Sequence, residues 1–268
     1  MCGSFHLSID MGSSWWREII VFQPSFWSSL LINLFAEPVL DIISILRVCL
    51  ACSGTIPMRL HLDIDSIELT LGLRSALDDL ARHADRWKKF QYVAPVSPSL
   101  NYILKQARDL TENPFSIFDA LLIRLSGISA DGVFGNSFIH CPRLHYLLTT
   151  HLRATDTVEL THLVNLRTQL YQGCSFAILL EKCPVLETLT VNCINDPVED
   201  YQATPIRIPH VCHTHLRTLE LAIHKYHVAG AWQSVQLPGL THLRARHIHK
   251  RTFCDVKKQR CYLTRNAS

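Results

Sequence analysis

The densest group of metal-ligand side chains lies in the stretch HVCHTH, residues 210–215. The ligand-type residues in it are His210, Cys212, His213 and His215. On a strand, side chains alternate between the two faces, so His213 and His215 would share one face. A structural zinc site needs four converging ligands, and His224 and His227 follow at none of the usual zinc-finger spacings. We therefore predict no metal site at this cluster.

Cysteine chemistry is the second candidate, at Cys49-x-x-Cys52. This spacing is that of half a zinc site or of a redox pair. The chain has no second Cys-x-x-Cys, and the pair ends a hydrophobic helical pattern instead of opening one. We expect both cysteines to serve in packing.

Catalytic motifs are missing from the chain. It contains no Gly-x-Ser-x-Gly, no phosphate-binding glycine loop and no His-Glu-x-x-His. The adjacent carboxylates Asp78-Asp79 and Glu199-Asp200 would diverge on a helix or in a turn, so we expect them to be solvated. The sequence predicts no enzyme, no catalytic residues and no bound cofactor.

Composition indicates a globular chain with a sizeable core, since 48% of its 268 residues are hydrophobic. Its 10 cysteines follow an N-terminus, MCGSFHLSIDMGSS, that has no secretory signal. We therefore expect reduced cysteines and an intracellular location, in the cytoplasm or the nucleus. The apolar stretch from Ile19 to Ala36 is interrupted by Gln23, Pro24 and Asn33, which favours a buried segment over a membrane span.

The basic charge is concentrated at the C-terminal end. The formal charge is +3, and residues 249–268 contribute six basic side chains and one acidic one, so the first 248 residues are net acidic. Nucleic-acid binding by the body of the chain is not expected. Residues 249–268 are predicted to be a basic, disordered tail.

Helical and extended patterns alternate in the first half of the chain. Leu40, Ile43, Leu46 and Leu50 fit a mostly buried helix that stops near Gly54. In the following stretch, apolar side chains alternate with polar ones at Met58, Leu60, Leu62 and Ile64, which is the pattern of a strand. A second helical pattern begins at Leu73, and Phe90 to Val93 is typical of a further strand. The sequence thus predicts an α/β fold.

A degenerate leucine repeat runs through the second half. Its motif is Leu-x-x-Leu, found at Leu144/Leu147, Leu160/Leu163, Leu186/Leu189, Leu216/Leu219 and Leu240/Leu243. The asparagine or cysteine that follows the motif in regular repeats is missing. We predict an irregular leucine-rich-repeat-like solenoid, with a mostly parallel sheet and helices or loops on its convex side. Its repeat core would be Leu147, Leu163, Leu189, Leu219 and Leu243, each buried on a successive strand.

The chain resembles the F-box proteins of mushroom-forming fungi, in which an F-box precedes degenerate leucine-rich repeats. The matching segments, in family order, are WWREIIVFQPSFWSSLLINL, ACSGTIPMRLHLDI, HADRWKKFQYVAP, VELTHL and EKCPVLETLTV. The resemblance implies that Trp16 and Arg17 end the last F-box helix, and that Pro24 to Ser29 form a hinge. We expect Trp27 to pack under the first strand near Leu60 and Leu62, with Trp15 or Trp16 partly exposed.

The resemblance also implies a domain division. Residues 1–36 would hold the F-box end and hinge, 37–248 the repeat domain, and 249–268 the tail. The opening Leu-Pro-x-Glu type motif of an F-box is missing from residues 1–14, so we expect most of the adaptor-binding surface to be lacking. The chain would then be a fragment, a mispredicted gene product or a repeat protein that has lost its ligase connection.

The resemblance implies a protein–protein interaction module, similar to the substrate-recruiting part of an F-box ubiquitin-ligase receptor. A cullin-RING adaptor would be a partner only if a full F-box lies upstream. The alternative is a leucine-rich-repeat scaffold with no role in ubiquitin ligation. In either case the partner is expected to bind the strand edges and loops.

Overall fold

The computed structural model describes residues 22–34, 42–65, 70–96, 98–126, 133–134, 139–173, 175–195, 210–223 and 234–247. Its α-helices are α1 (Ile42–Cys52), α2 (Leu71–Ala81), α3 (Pro98–Leu110) and α4 (Phe176–Lys182). Its longer strands are β1 (Ser29–Leu34), β2 (Met58–Ile64), β3 (Trp87–Ala94), β4 (Ala120–Leu125), β5 (Tyr146–Arg153), β6 (Asn165–Gln172), β7 (Thr188–Asn195), β9 (Thr218–Ile223) and β11 (His242–His247). The short strands β8 (Val211–Cys212) and β10 (Val235–Gln236) pair with each other.

The nine longer strands form one sheet in which every pairing is parallel. They lie side by side in chain order, from β1 at one edge to β11 at the other. Parallel neighbours need a crossover connection, and α1, α2 and α3 supply the first three crossovers. The chain is therefore an α/β protein with a large parallel sheet.

One face of the sheet is buried against the helices. Its central row of paired side chains is Leu30, Leu60, Phe90, Leu121, Leu147, Leu166, Leu189, Leu219 and Leu243. The members of this leucine row other than Leu30 and Leu243 belong to one buried core, together with helix side chains such as Leu46, Leu77 and Leu104, and Leu30 packs against it. Burying such side chains stabilises the fold by about 25 cal/mol for each Å² of apolar surface that is removed from water. The buried row therefore holds the strands against the helix layer.

Main-chain hydrogen bonds connect the starts of successive strands. Each accepting carbonyl receives the N–H groups of two adjacent residues in the next segment, and the carbonyls belong to Asp119, His145, Val164, Glu187 and Arg217. The Asp119 carbonyl, for example, accepts from the His145 and Tyr146 N–H groups at 3.0 and 3.2 Å. These bonds do not depend on side-chain type, so they hold the segments in register whatever the side chains are.

A recurring turn leads into each of these strands. The Leu144 N–H donates to the Cys141 carbonyl at 3.1 Å, and Leu163 and Leu160 make the same bond at 3.1 Å. Leu163 therefore takes the place of Leu144, ahead of its strand, and Leu166 takes the place of Leu147. The prediction that Leu163 lies on a strand is wrong, because the strand position belongs to Leu166, three residues later. The Leu163 side chain is nevertheless buried.

The ends of the sheet also differ from expectation. Leu243 lies on β11 and pairs with Leu219, but its side chain is 64% exposed, so its predicted burial is wrong. At the other end β1 pairs with β2, and so the sheet begins within the range 1–36 assigned to the F-box end and hinge. In α1, Ile45 and Val48 are exposed, so this helix is amphipathic and not mostly buried.

The segment before β1 is a 3-10 turn, Pro24–Trp27, that begins at the proline. Proline is favoured at this position because a first-turn N–H has no helical acceptor. Trp27 is 8% exposed, and its turn packs against α1 and β1. Trp15, Trp16 and Arg17, for which exposure and a helix end were expected, lie outside the described residues.

Candidate functional site

The second face of the sheet is open to solvent, because side chains alternate along each strand and the helices cover only the leucine row side. The first row on this open face is Ser29, Arg59, Lys89, Ala120, Tyr146, Asn165, Thr188, Thr218 and His242. The second row is Leu31, His61, Gln91, Leu122, Leu148, Arg167, Thr190, Glu220 and Arg244. These rows define the open face as a continuous surface across nine strands.

Charged side chains on the open face are mostly basic. The basic residues are Arg59, Lys89, Arg124, Arg167 and Arg244, all exposed. The acidic residues among the described positions of this face are Asp63 and Glu220, and Glu220 is paired with Arg244 at 4.0 Å. The open face therefore differs in sign from the net acidic first 248 residues of the chain.

A basic cluster occupies the part of the open face formed by β2, β3 and β4, and it consists of Arg59, His61, Lys89 and Arg124. The His61 ring is partly buried, and Gln91 Nε2 lies 3.2 Å from His61 Nε2, which places the ring nitrogen as acceptor. Burial lowers the pKa of His61, Asp63 opposes this effect, and Arg124 and Lys89 reinforce it. His61 is therefore neutral at pH 7 and leaves the cationic groups to Arg59, Lys89 and Arg124.

An apolar strip adjoins the basic cluster in the middle of the sheet, and it consists of Leu122, Tyr146 and Leu148. Leu122 and Leu148 are paired across β4 and β5, and all three side chains are only partly buried. Arg167 pairs with Leu148 on the far side of the strip. Exposed apolar groups framed by charged side chains are typical of surfaces that bind another molecule.

The HVCHTH cluster serves packing in the described part of the chain. His213 is buried, its Nδ1 accepts from the Leu216 N–H at 3.1 Å, and its Nε2 donates to the Cys183 carbonyl at 2.8 Å. Both ring nitrogens are thus occupied by main-chain groups. His210, Cys212 and His215 are exposed, and His224 and His227 lie outside the described residues. Among the residues described, no three His, Cys, Asp or Glu side chains are grouped to hold a metal ion, and the absence of a metal site stays a prediction.

The cysteine pair lies at the end of α1, where Cys49 is buried and Cys52 is partly buried. Both are free thiols. Burial raises the pKa of the Cys49 thiol, and the neighbouring Cys52 raises it further. A raised pKa makes Cys49 a poor nucleophile.

The Asp78-Asp79 pair differs from the predicted solvated surface. Asp79 is buried and accepts from Arg47 Nε at 2.7 Å and from Arg82 Nη1 at 2.5 Å. Asp78 accepts from the Tyr102 hydroxyl at 2.8 Å. These carboxylates line a cleft of about 300 Å³ on the helix side, where they connect α1, α2 and α3. The other acidic pair, Glu199-Asp200, lies outside the described residues.

Sequence reasoning did not single out the residues of the open face. Their signal was present, because the residues of the first two rows lie one position before or after the buried row, as Tyr146 and Leu148 do around Leu147. The pairing of strands in register was needed to bring them together.

Comparisons with protein-family models, with curated proteins and with solved structures find no match to this chain. Among the described residues, the helices are all too short or too polar to span a lipid bilayer.

Proposed function

We propose that this chain is an irregular leucine-rich-repeat-like solenoid that binds another protein through the open face of its sheet. The observation that carries the proposal is the all-parallel sheet in chain order, buried on one face and presenting rows of mixed charged and apolar side chains on the other. Repeat arrays commonly use such an extended surface for recognition.

The repeat interpretation is supported by three features that recur together. They are the turn before the strand, the doubly accepting carbonyl and the buried leucine, as in the segments that begin at Cys141, Leu160 and Cys183. Each segment bonds to the next along the sheet, which is how a linear repeat array is stabilised.

The size of the open face suits a protein partner. Nine strands at about 4.8 Å spacing give a width of roughly 38 Å, and six residues give a strand length of roughly 20 Å. The product, roughly 750 Å², matches the area of about 800 Å² that each partner buries in a standard interface. A binding role is therefore proposed in preference to a catalytic one.

A role as the substrate-recruiting part of an F-box ubiquitin-ligase receptor is the specific form that the resemblance to fungal F-box proteins suggests. The burial of Trp27 beside α1 and β1 is compatible with a compact junction ahead of the array. The alternative, a scaffold with no ligase connection, uses the same open face.

Charge reversal tests the proposal. The open-face variant carries Arg59→Glu, Arg124→Glu and Arg167→Glu, and the matched control carries Arg74→Glu, Lys105→Glu and Arg143→Glu, all exposed and outside the open face. We expect proteins that co-purify stoichiometrically with the wild-type chain to be lost from the open-face variant and retained by the control. Equal thermal unfolding of both variants confirms intact folding, and retention of every partner by a folded open-face variant contradicts the proposal.

The ligase form is tested separately with purified cullin-RING adaptor. A stoichiometric complex with the 268-residue chain supports a receptor role. If a folded chain forms no complex while its open-face partner is retained, the scaffold alternative is favoured.

A further inference from the structure

We propose that the basic cluster and the adjoining apolar strip form one subsite that recognises an acidic segment of a partner protein, with a hydrophobic side chain next to its carboxylates. This inference rests on the proposed function and specifies the chemistry of the ligand.

The cationic groups of the subsite lie close enough to bind neighbouring carboxylates. Arg59 and Lys89 are directly paired on β2 and β3, and Arg124 lies on β4, paired with Val93. Arg124 lies four residues beyond Ala120, the partner of Lys89, so with about 4.8 Å between strands and about 3.3 Å per residue its Cα is about 16 Å from that of Arg59, the length of about five extended residues. A short segment with two or three carboxylates therefore fits across them.

Charge complementarity selects an acidic ligand. Asp63 is the one carboxylate on the described part of the open face near the basic cluster, and the structure describes no carboxylate within 4.0 Å of the basic groups of Arg59, Lys89 or Arg124. By contrast, the Arg47 and Arg82 guanidinium groups on the helix side share the Asp79 carboxylate. Exposed basic residues such as Arg74, Lys105 and Arg143 also lie elsewhere, but the cations of the open face share one surface with the apolar strip, and solvent-exposed charge of this kind steers an oppositely charged partner.

The apolar strip adds a second requirement on the ligand. Leu122 lies next to Gln91 in the second row, followed by Leu148 and then Arg167. A segment that lies across the first two rows from β2 to β6 therefore meets Arg59 and Lys89 of the first row, and then Leu122, Leu148 and Arg167 of the second row. A hydrophobic residue flanked by acidic residues matches this order, and its burial against Leu122 and Leu148 contributes about fivefold in affinity.

His61 makes binding depend on pH. Asp63, Lys89 and Arg124 are the charged groups that face its ring from β2, β3 and β4, and Leu31 of β1 is uncharged. A carboxylate bound beside the ring favours the imidazolium form, so the complex takes up a proton that the free chain lacks. The affinity for an acidic segment therefore increases as the pH falls through the pKa that His61 has in the complex.

Fluorescence anisotropy with the full chain tests the subsite. The probe is a fluorescein-labelled peptide with a central leucine flanked by glutamates, and the charge-reversed peptide has lysine in place of each glutamate. The variant Arg59→Gln/Lys89→Gln/Arg124→Gln is expected to bind the acidic probe at least about tenfold more weakly than the wild-type chain. The matched control Arg74→Gln/Lys105→Gln/Arg143→Gln is expected to bind within about twofold of wild type.

Two further variants separate the parts of the subsite. Leu148→Ser is expected to weaken binding of the leucine probe about fivefold but to leave binding of an all-glutamate probe unchanged. His61→Gln is expected to remove the increase in affinity at low pH while the neutral-pH affinity is kept.

Equal binding of the acidic probe by the triple variant and its control would overturn the inference, as would tighter binding of the lysine peptide. A single-stranded oligonucleotide that binds the open face more tightly than the acidic probe, and displaces it, would also overturn the inference, because the site would then be one for nucleic acid. If the charge-reversed open-face variant loses its co-purifying partners but no acidic probe binds the wild-type chain, the inference fails and the proposed function stands.

Discussion

Asp156 is a buried carboxyl group that opposes folding at neutral pH. Burial raises its pKa to about 6, although the Arg153 N–H donates to its Oδ2 at 2.7 Å and Lys182 lies nearby. Because the folded-state pKa exceeds the unfolded one, the unfolded chain binds fewer protons between pH 3.8 and 6, and stability falls as pH rises through this range. Above about pH 6 the full cost, about 3 kcal/mol, is present.

Asp156→Asn should therefore stabilise the chain at neutral pH. The amide oxygen can still accept from the Arg153 N–H, while the ionisation cost is removed. We expect the free energy of unfolding in urea to rise by about 1–3 kcal/mol at pH 7.5, with the gain disappearing towards pH 4. A less stable variant at pH 7.5 would mean that the attraction of the carboxylate to Arg153 and Lys182 outweighs its burial.

His213 and His215 offer a paired test at two positions of one motif. His213→Ala leaves the Leu216 N–H and the Cys183 carbonyl without their buried partner, so we expect a loss of about 2 kcal/mol in unfolding free energy. His215 is exposed, and His215→Ala should change stability by less than about 0.5 kcal/mol. Equal effects in chemical denaturation, or a stabilisation of the wild-type chain by zinc, would contradict the structural role of His213.

Several elements could be predicted from periodicity alone. The alternation from Met58 to Ile64 matches β2 at both ends, because one face of this strand is buried and the other is solvated. The helix pattern around Leu73 and Leu77 likewise corresponds to α2. By contrast, β1 was not separated from the apolar run around it, since a continuous run carries no period that distinguishes a strand from a hinge.

The register of the second leucine motif could not be obtained from sequence. Leu160, Leu163 and Leu166 follow one another at the same spacing, so both Leu160/Leu163 and Leu163/Leu166 fit the motif. The choice is made by strand pairing, because Leu166 lies opposite both Leu147 and Leu189. Because strand pairing joins residues that are distant in sequence, the segment alone does not indicate which leucine pair is used.

Leu219 and Leu243 test how far the buried row extends. They are directly paired, yet Leu219 is 2% exposed and Leu243 is 64% exposed. Leu219→Ala should lower the free energy of unfolding by about 3 kcal/mol, whereas Leu243→Ala should cost less than about 1 kcal/mol. A comparable loss for Leu243→Ala in urea denaturation would mean that the last strand is covered in solution.

The substitution Gly239→Ala tests how closely the turn before β11 packs against the turn before β9. A Cβ at this position would lie 2.2 Å from the Thr214 carbonyl oxygen of the preceding turn, and a main-chain atom cannot move away cheaply. Gly239→Ala should therefore destabilise the chain by about 1–3 kcal/mol. Gly72 in α2 is the control, since nothing lies within 4 Å of its added Cβ and alanine favours a helix. If Gly239→Ala is as stable as wild type, the two turns do not pack as closely as described.

At the scale of the whole molecule, the α/β class was accessible from the sequence and the proposed binding surface was not. Binding at strand edges and loops stays a prediction, whereas the open face of the proposal draws its residues from every strand of the large sheet. Residues such as Arg59, Lys89 and Arg124 are separated by about thirty positions each in sequence and are brought onto one face only through parallel pairing in chain order. Exposed side chains also have no periodic hydrophobic signal of their own.

The central claim, that the open face contacts a protein partner, is tested most directly by site-specific cross-linking in cells. A photoreactive phenylalanine replaces Leu148 on the open face or Lys105 on α3. The account predicts a cross-linked adduct of defined mass from position 148 and none from position 105, with the open-face charge reversals abolishing the adduct. An adduct from position 105 alone, or one from position 148 that persists in the charge-reversed chain, would contradict it.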